Sequence, residues 1–168
     1  MPKIIALTGT PGTGKTTIAK KLEELGFCVI FLNELVEREK LYEGYDKERS
    51  CWIVDLERAK KFVSSMAKKK IVIVDSHISH LLNCVEKAIV LRCSPEELEK
   101  RLRKRGWKEE KIRENVEAEI IDLILVEAEE LLGEENVAEI DTTDKSVDEV
   151  VEEVIKVLER WRILHEGC

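Results

Sequence analysis

The sequence predicts an α/β fold on a parallel five-stranded sheet, and three observations lead there. Five short apolar runs of buried-strand type recur along the chain, at 3–8, 27–32, 71–75, 88–92 and 137–140. Amphipathic helical patterns lie between most of them, so strand and helix alternate from end to end. The first run opens directly into a glycine loop followed by an amphipathic helix.

Each element has its own signals. After the run 3–8 and the loop, a helix is expected over about 15–25, stopped by Gly26. The run 27–32 is the second strand, and Asn33 can cap a short helix reaching Leu41. Residues 42–50 are polar and turn-rich and read as a loop, and Asp55 can cap a helix reaching Lys68. The run 71–75 ends in the carboxylate of Asp75. After the strand at 88–92, Ser94-Pro95-Glu96-Glu97 combines an N-cap serine, proline at the first helical position and glutamate at the third. That helix should end near Gly106, and one long helix should run over about 109–132. Following the strand at 137–140, Ser146-Val147-Asp148-Glu149 is a second capping box and opens a closing helix through about Leu164.

The 168 residues suit one compact domain, 1–168, with a sizeable core, and no repeat or long linker divides it. With 38% charged and 43% apolar residues, the expectation is a soluble globular protein. A net charge of −7 argues against a broad nucleic-acid surface, although 101–111 forms a local basic patch. The five cysteines, Cys28, Cys51, Cys84, Cys93 and Cys168, have no paired or zinc-like spacing and read as reduced thiols. No apolar stretch approaches membrane-spanning length, and nothing resembles a signal peptide, so no membrane partner is expected.

Gly9-Thr10-Pro11-Gly12-Thr13-Gly14-Lys15-Thr16 fits G-x-x-x-x-G-K-[ST] at every fixed position. Glycines let successive amides turn inward around an anion, and the helix N-terminus adds its positive dipole end. Lys15 is expected to reach the β and γ phosphates of a nucleoside triphosphate. The Thr16 hydroxyl is expected to ligate Mg²⁺, and Thr17 to meet the α phosphate. An apolar strand ending in Asp75 has the form of a Walker B element, whose carboxylate can hold a Mg²⁺-bound water beside Thr16.

His77 and His80 follow directly, near the carboxyl edge of the sheet. His77 reads equally as a group that orients or deprotonates a water and as a hydrogen-bonded loop residue. His80 reads as structural. Arg101, Arg103, Lys104 and Arg105 end one helix, with Gly106 expected as a hinge and Lys111 and Arg113 beyond. Cations near a helix C-terminus are favourable for dipole reasons alone. Beside a P-loop they also read as a small lid whose guanidinium groups spread charge on a transferring phosphoryl.

With these residues assembled, the chain resembles the adenylate kinase isoenzyme six family, also described as a coilin-interacting nuclear ATPase and a ribosome-assembly NTPase. The matching stretches are the TGTPGTGKTT loop, LYEGYD at 41–46, the IVDSH strand end, RLRKRGW at 101–107 and KIRENVEAEI at 111–120. The resemblance implies an adenylate-kinase-like sheet flanked by helices. It also implies a nucleoside-monophosphate-binding segment over 33–55 and a short lid over 104–114. It implies ATP contacts for Gly12, Thr13, Gly14, Lys15, Thr16, Thr17 and Arg105, with Mg²⁺ at Thr16 and Asp75. His77 takes the place of the family's histidine tied to ATP hydrolysis, and Arg38 lies in the monophosphate-binding segment, where it could hold the AMP phosphate.

The expected activity is transfer from ATP to AMP, giving two ADP, with ATPase activity besides. The resemblance further implies work in small ribosomal subunit biogenesis and rRNA maturation, with ribosomal protein eleven of the small subunit as partner. Eukaryotic members carry a tyrosine before the histidine where this chain has SHISH. That departure points to an archaeal-type, cytoplasmic member. Two readings stay open beside the kinase: an ATP-switched assembly factor, and a kinase acting on another small metabolite.

Overall fold

The computed structural model describes residues 3–163. In chain order its elements are β1 (Ile4–Thr8), α1 (Lys15–Glu24), β2 (Cys28–Phe31), α2 (Leu32–Arg38), β3 (Tyr42–Asp46), β4 (Cys51–Val54) and α3 (Leu56–Met66). These are followed by β5 (Val72–Asp75), β6 (Lys87–Arg92), α4 (Pro95–Lys104), α5 (Glu109–Ile120), α6 (Leu123–Leu132), β7 (Val137–Asp141) and α7 (Val147–Arg160). The last helix ends at Arg160 with Trp161 as its cap, short of the expected Leu164, which itself lies outside the described residues.

Five strands form one parallel sheet in the order β2-β5-β1-β6-β7, as the alternating sequence requires. Side chains of successive strand residues fall on opposite faces. Ile4, Ala6, Ile30, Val72, Val74 and Val90 therefore pack on one side against Leu35, Val63, Ile124 and Ala128 of α2, α3 and α6. Ile5, Leu7, Ile73, Ile89 and Leu91 face the other side and meet Ile18 and Leu22 of α1 and Val150, Val154 and Leu158 of α7. A third, smaller cluster of Cys93, Leu98, Leu102 and Ile112, with Trp107 and Val116 against it, ties α4 to α5.

Three of the four predicted N-caps form. Ser94, Ser146 and Asp55 accept the amides of Glu97, Glu149 and Arg58 at 3.3, 3.1 and 3.1 Å.

Four expectations are corrected. Asn33 does not cap α2, because β2 runs straight into the helix and Phe31 takes the cap position. Asn33 instead accepts the Ser76 hydroxyl at 3.4 Å. Residues 42–46 are strand rather than loop, and only 47–50 form the turn: β3 pairs antiparallel with β4 in a hairpin outside the main sheet. Tyr42 and Trp52 stack across it with ring centres 4.0 Å apart, and Tyr45 meets Trp52 edge-on.

The expected long helix over 109–132 breaks into α5 and α6 at Asp122, which has φ of +56°. Arg92 supplies the cause. Its guanidinium binds the Glu119 carboxylate, the Glu119 carbonyl and the Asp122 carboxylate, competing with the helix for its own C-terminal groups. The thiols are not uniformly reduced either: Cys28 is disulfide-bonded, whereas Cys51, Cys84 and Cys93 are free. Among the described residues, no helix is long and apolar enough to cross a membrane.

Candidate functional site

The loop between β1 and α1 closes on itself through Thr10. Its carbonyl accepts the Thr13 amide at 3.2 Å and the Thr13 hydroxyl at 2.8 Å. It also accepts the Lys15 ammonium at 3.1 Å. Two glycines are required by contact as well as by conformation. A Cβ on Gly9 (φ +143°) would lie 2.5 Å from the Leu91 carbonyl oxygen, and one on Gly12 (φ +98°) 2.8 Å from the Leu98 side chain. The loop is thus pressed between β6 and α4, with its helix N-terminus left to face the cleft.

Lys15 is buried, and its pKa falls to about 8. Burial is the main cause; Asp75 opposes it and Arg105 adds to it. An anion placed among these amides would reverse that shift, so the loop is built for an anion. Asp75 stands in register between Leu7 of β1 and Phe31 of β2, since β5 lies between those strands. The Thr16 hydroxyl reaches its carboxylate at 3.3 Å. Burial raises the Asp75 pKa, with Lys15 holding it down.

A hydroxyl beside a carboxylate, both hard oxygen donors, fits Mg²⁺ better than a thiolate or imidazole metal. No group of three or more His, Cys, Asp or Glu poised for a metal occurs among the described residues. The oxygens present could hold Mg²⁺ only together with oxygens from a ligand or water.

His77 is open to solvent yet crowded by protein, and desolvation, then Lys15, His80 and Lys111, lower its pKa to about 4. Its imidazole is therefore neutral near pH 7. His80 is buried; its Nδ1 lies 2.8 Å from the Thr8 hydroxyl, and its Nε2 has no hydrogen-bond partner. Glu127 comes within 3.7 Å of that Nε2, but burial keeps His80 neutral with a pKa of about 4, so the approach is not an ion pair.

A cleft of about 430 Å³ opens beside the loop, a usual size for a small-molecule site. Gly12, Thr13, Gly14 and Thr17 line one wall, Arg101, Lys104 and Arg105 another, and Thr142, Lys145, Ser146 and Val147 the end. The fold thus brings together Gly12, Thr13, Gly14, Thr17 and Arg105 around the cleft, with Lys15, Thr16 and Asp75 at the loop. It does not bring Arg38 to them: that side chain stands at the far end of α2, exposed, 3.3 Å from Glu39.

Sequence reasoning passed over Arg101 as an individual. Its guanidinium binds the Gly12 carbonyl at 3.3 Å and the Thr142 hydroxyl at 3.4 Å, bracing α4 against the loop. It also passed over Thr142, and it read Ser146 only as a helix cap. Their places after the carboxyl end of β7 were the available signal, since ligands gather at that edge of an open α/β sheet.

The model of a family described as "AAA domain" matches residues 5–122. A protein of Methanocaldococcus jannaschii named "Putative adenylate kinase" is 45% identical over 92% of this chain and 85% of that protein. Proteins of the same name from Methanosarcina acetivorans and Pyrococcus abyssi are each 44% identical, covering 93% and 92% of this chain and 86% and 83% of theirs. Among solved structures, a gluconokinase from Sinorhizobium meliloti 1021 and a shikimate kinase from Bacteroides thetaiotaomicron each superpose with a TM-score of 0.58. Each covers 95% of this chain, with 93% and 99% of those chains matched, at 16% and 18% identity, a likeness of fold alone. The chain belongs to the AAA-domain family and to the archaeal family whose members carry the name "Putative adenylate kinase".

Proposed function

We propose that this protein is a Mg-ATP-dependent nucleoside monophosphate kinase that moves the γ-phosphoryl of ATP to AMP, leaving two ADP. The observation that carries the reading is the buried Lys15 ammonium inside the glycine loop, one residue from the Thr16–Asp75 pair. The name borne by the relatives supports the choice of AMP as acceptor. The loop amides and Lys15 would bind the β and γ phosphates, while Arg105 closes from α4 and spreads charge on the transferring group. Thr16 and Asp75 would hold Mg²⁺, which neutralises charge on those phosphates.

Residues 33–55 would form the acceptor segment and 104–114 the lid. Arg38 would take the AMP phosphate by giving up its exposed pairing with Glu39. His77 is neutral near pH 7 and, with its pKa lowered to about 4, is a weak base, so it would orient an attacking water rather than deprotonate it in an accompanying ATPase activity.

A second reading rests on a surface. Ile120 and Ile121 at the α5–α6 break are 58% and 65% exposed, with Leu123 nearby, the Asp122 carboxylate next in the chain and exposed Glu117 three residues before Ile120. Such a surface favours a partner with apolar side chains among basic ones. It supports an assembly factor of the isoenzyme six kind, switched by ATP in small ribosomal subunit biogenesis, with ribosomal protein eleven of the small subunit as partner.

The deciding experiment is ADP formation from Mg-ATP with and without AMP, using Lys15→Ala as control. AMP stimulation lost in the control supports the kinase. Slow, AMP-independent hydrolysis that rises with the basic ribosomal protein moves the assignment to the assembly factor.

A further inference from the structure

The tip of the β3–β4 hairpin reaches the start of α5, some sixty residues along the chain, and touches it twice. The Arg49 guanidinium meets the Glu114 carboxylate at 3.1 Å, and the Lys111 ammonium donates to the Arg49 carbonyl at 3.3 Å. Lys111 and Glu114 are three apart on α5 and so share one face.

Both sides of the contact are prepared for it. At the tip, the Asp46 carboxylate accepts the amides of Glu48 and Arg49 at 3.0 and 3.1 Å, and Ser50 completes the turn at φ of +52°. That turn fixes the direction of the Arg49 carbonyl. On the other side, Lys111 lies 4.4 Å over the Trp107 ring, which packs on the small cluster joining α4 to α5. A chain of contacts therefore runs from the hairpin through Arg49 and Lys111 to Trp107, next to the Gly106 hinge. The charge of Lys111 also reaches His77, two residues beyond the end of β5.

We infer that Arg49 and Glu114, with Lys111, form a latch joining the acceptor-side hairpin to the ATP-side lid, and that the latch positions both for transfer. This rests on the kinase reading for its consequence, though not for its existence. The contact has the character a gate needs. The Arg49 and Glu114 side chains are 65% and 55% exposed, so the pair is weak, sensitive to salt and quick to part. A buried bridge in the same place would hold the cleft shut. Closed, the latch keeps water from the phosphoryl group until AMP occupies the acceptor side; parted, it releases product. Arg49, Lys111 and Glu114 act through the segments they hold and are positioning residues.

The test uses Arg49→Glu, Glu114→Arg and the double exchange in the full chain. In the ligand-free protein, hydrogen exchange should quicken about threefold at both 47–50 and 108–114 in either single variant. The double exchange should restore protection at both segments. Raising salt to about 1 M, where screening shortens to ~3 Å, should reproduce the loss in the unaltered protein and add little in the single variants.

In turnover, each single variant should raise the ratio of AMP-independent hydrolysis to transfer about threefold and raise KM for AMP more than it changes kcat. The double exchange should restore both. Exchange that quickens only in the altered segment, or that the double exchange leaves fast, overturns the latch. Normal exchange behaviour with an unmoved hydrolysis-to-transfer ratio overturns its positioning role. Absence of AMP-dependent transfer in the unaltered protein would count against the kinase, while the exchange measurement would still decide the latch.

Discussion

Thr8, the last residue of β1, holds the buried ring of His80 through a 2.8 Å contact to Nδ1, leaving Nε2 without a hydrogen-bond partner. The strand that enters the glycine loop is thereby joined to the turn that follows Asp75. His80 is part of the scaffold, and its neutrality has a cost that depends on pH.

The folded protein holds His80 at a pKa of about 4 against an ordinary 6.5, so between those values the unfolded chain binds a proton that the native one refuses. Stability therefore rises with pH across that window and is fully present above about 6.5. The loss on acidification should reach on the order of 2–3 kcal/mol. His77 shifts the same way, but it stands open to solvent, which discounts its share. Urea unfolding at pH 7 and pH 5, compared between the native protein and His80→Gln, reads the effect. Equal losses in the two would sink it.

Lys15 should take up a proton when ATP binds at alkaline pH. Its ligand-free pKa of about 8 leaves it mostly neutral at pH 8.5, and phosphates beside it must raise that value. Calorimetry of ATP binding at that pH, in two buffers of different ionisation enthalpy, should show uptake of about half a proton or more. Affinity should weaken as pH rises further. Lys15→Met should bind more weakly and take up correspondingly less. Identical heats in both buffers would mean that Lys15 does not meet the phosphates.

What the sequence made legible was local. The motif from Gly9 to Thr16, the strand run ending in Asp75 and the caps at Asp55, Ser94 and Ser146 each depend on neighbours within a few positions. The break at Asp122 was hidden because its cause, Arg92, lies 30 residues away on another element. The hairpin was hidden because both strands are only half-buried, and a polar turn dominated the segment. Arg101 was visible as a charge, but its bonds to Gly12 and Thr142 exist only once α4 packs on the loop. Contacts between distant elements leave no trace in spacing unless a motif carries them, as the glycine loop and the strand-end carboxylate did for Thr16 and Asp75.

Arg92 should be among the costliest positions in the molecule. It answers three carboxylates, those of Glu119, Asp122 and Glu139, and Glu119 is buried at 4% exposure. Arg92→Met leaves those charges unpaired, so a loss of about 3–5 kcal/mol is expected. Arg92→Lys should recover little, because a single ammonium cannot reproduce a fork that binds several groups at once. Arg92→Met combined with Glu119→Leu should recover much of the stability. Denaturant midpoints of the three variants decide this, and near-native stability of Arg92→Met would refute it.

Asp75 gives the sharpest separation between binding and metal use. Asparagine keeps its shape and its reach to the Thr16 hydroxyl at 3.3 Å but removes the charge. If the pair holds Mg²⁺, Asp75→Asn should lower turnover about 10²-fold and move half-saturation by Mg²⁺ upward, with ATP affinity in the absence of metal little changed. Thr16→Ser, which keeps the hydroxyl, should stay within a few-fold of native. The acid side of the pH profile adds a second reading. Burial raises the Asp75 pKa, and metal binding needs the carboxylate ionised, so activity should fall as pH drops through that raised value. In Asp75→Asn that descent should flatten. An unchanged Mg²⁺ requirement in the variant would place the metal elsewhere and reduce Asp75 to a partner that orients Thr16.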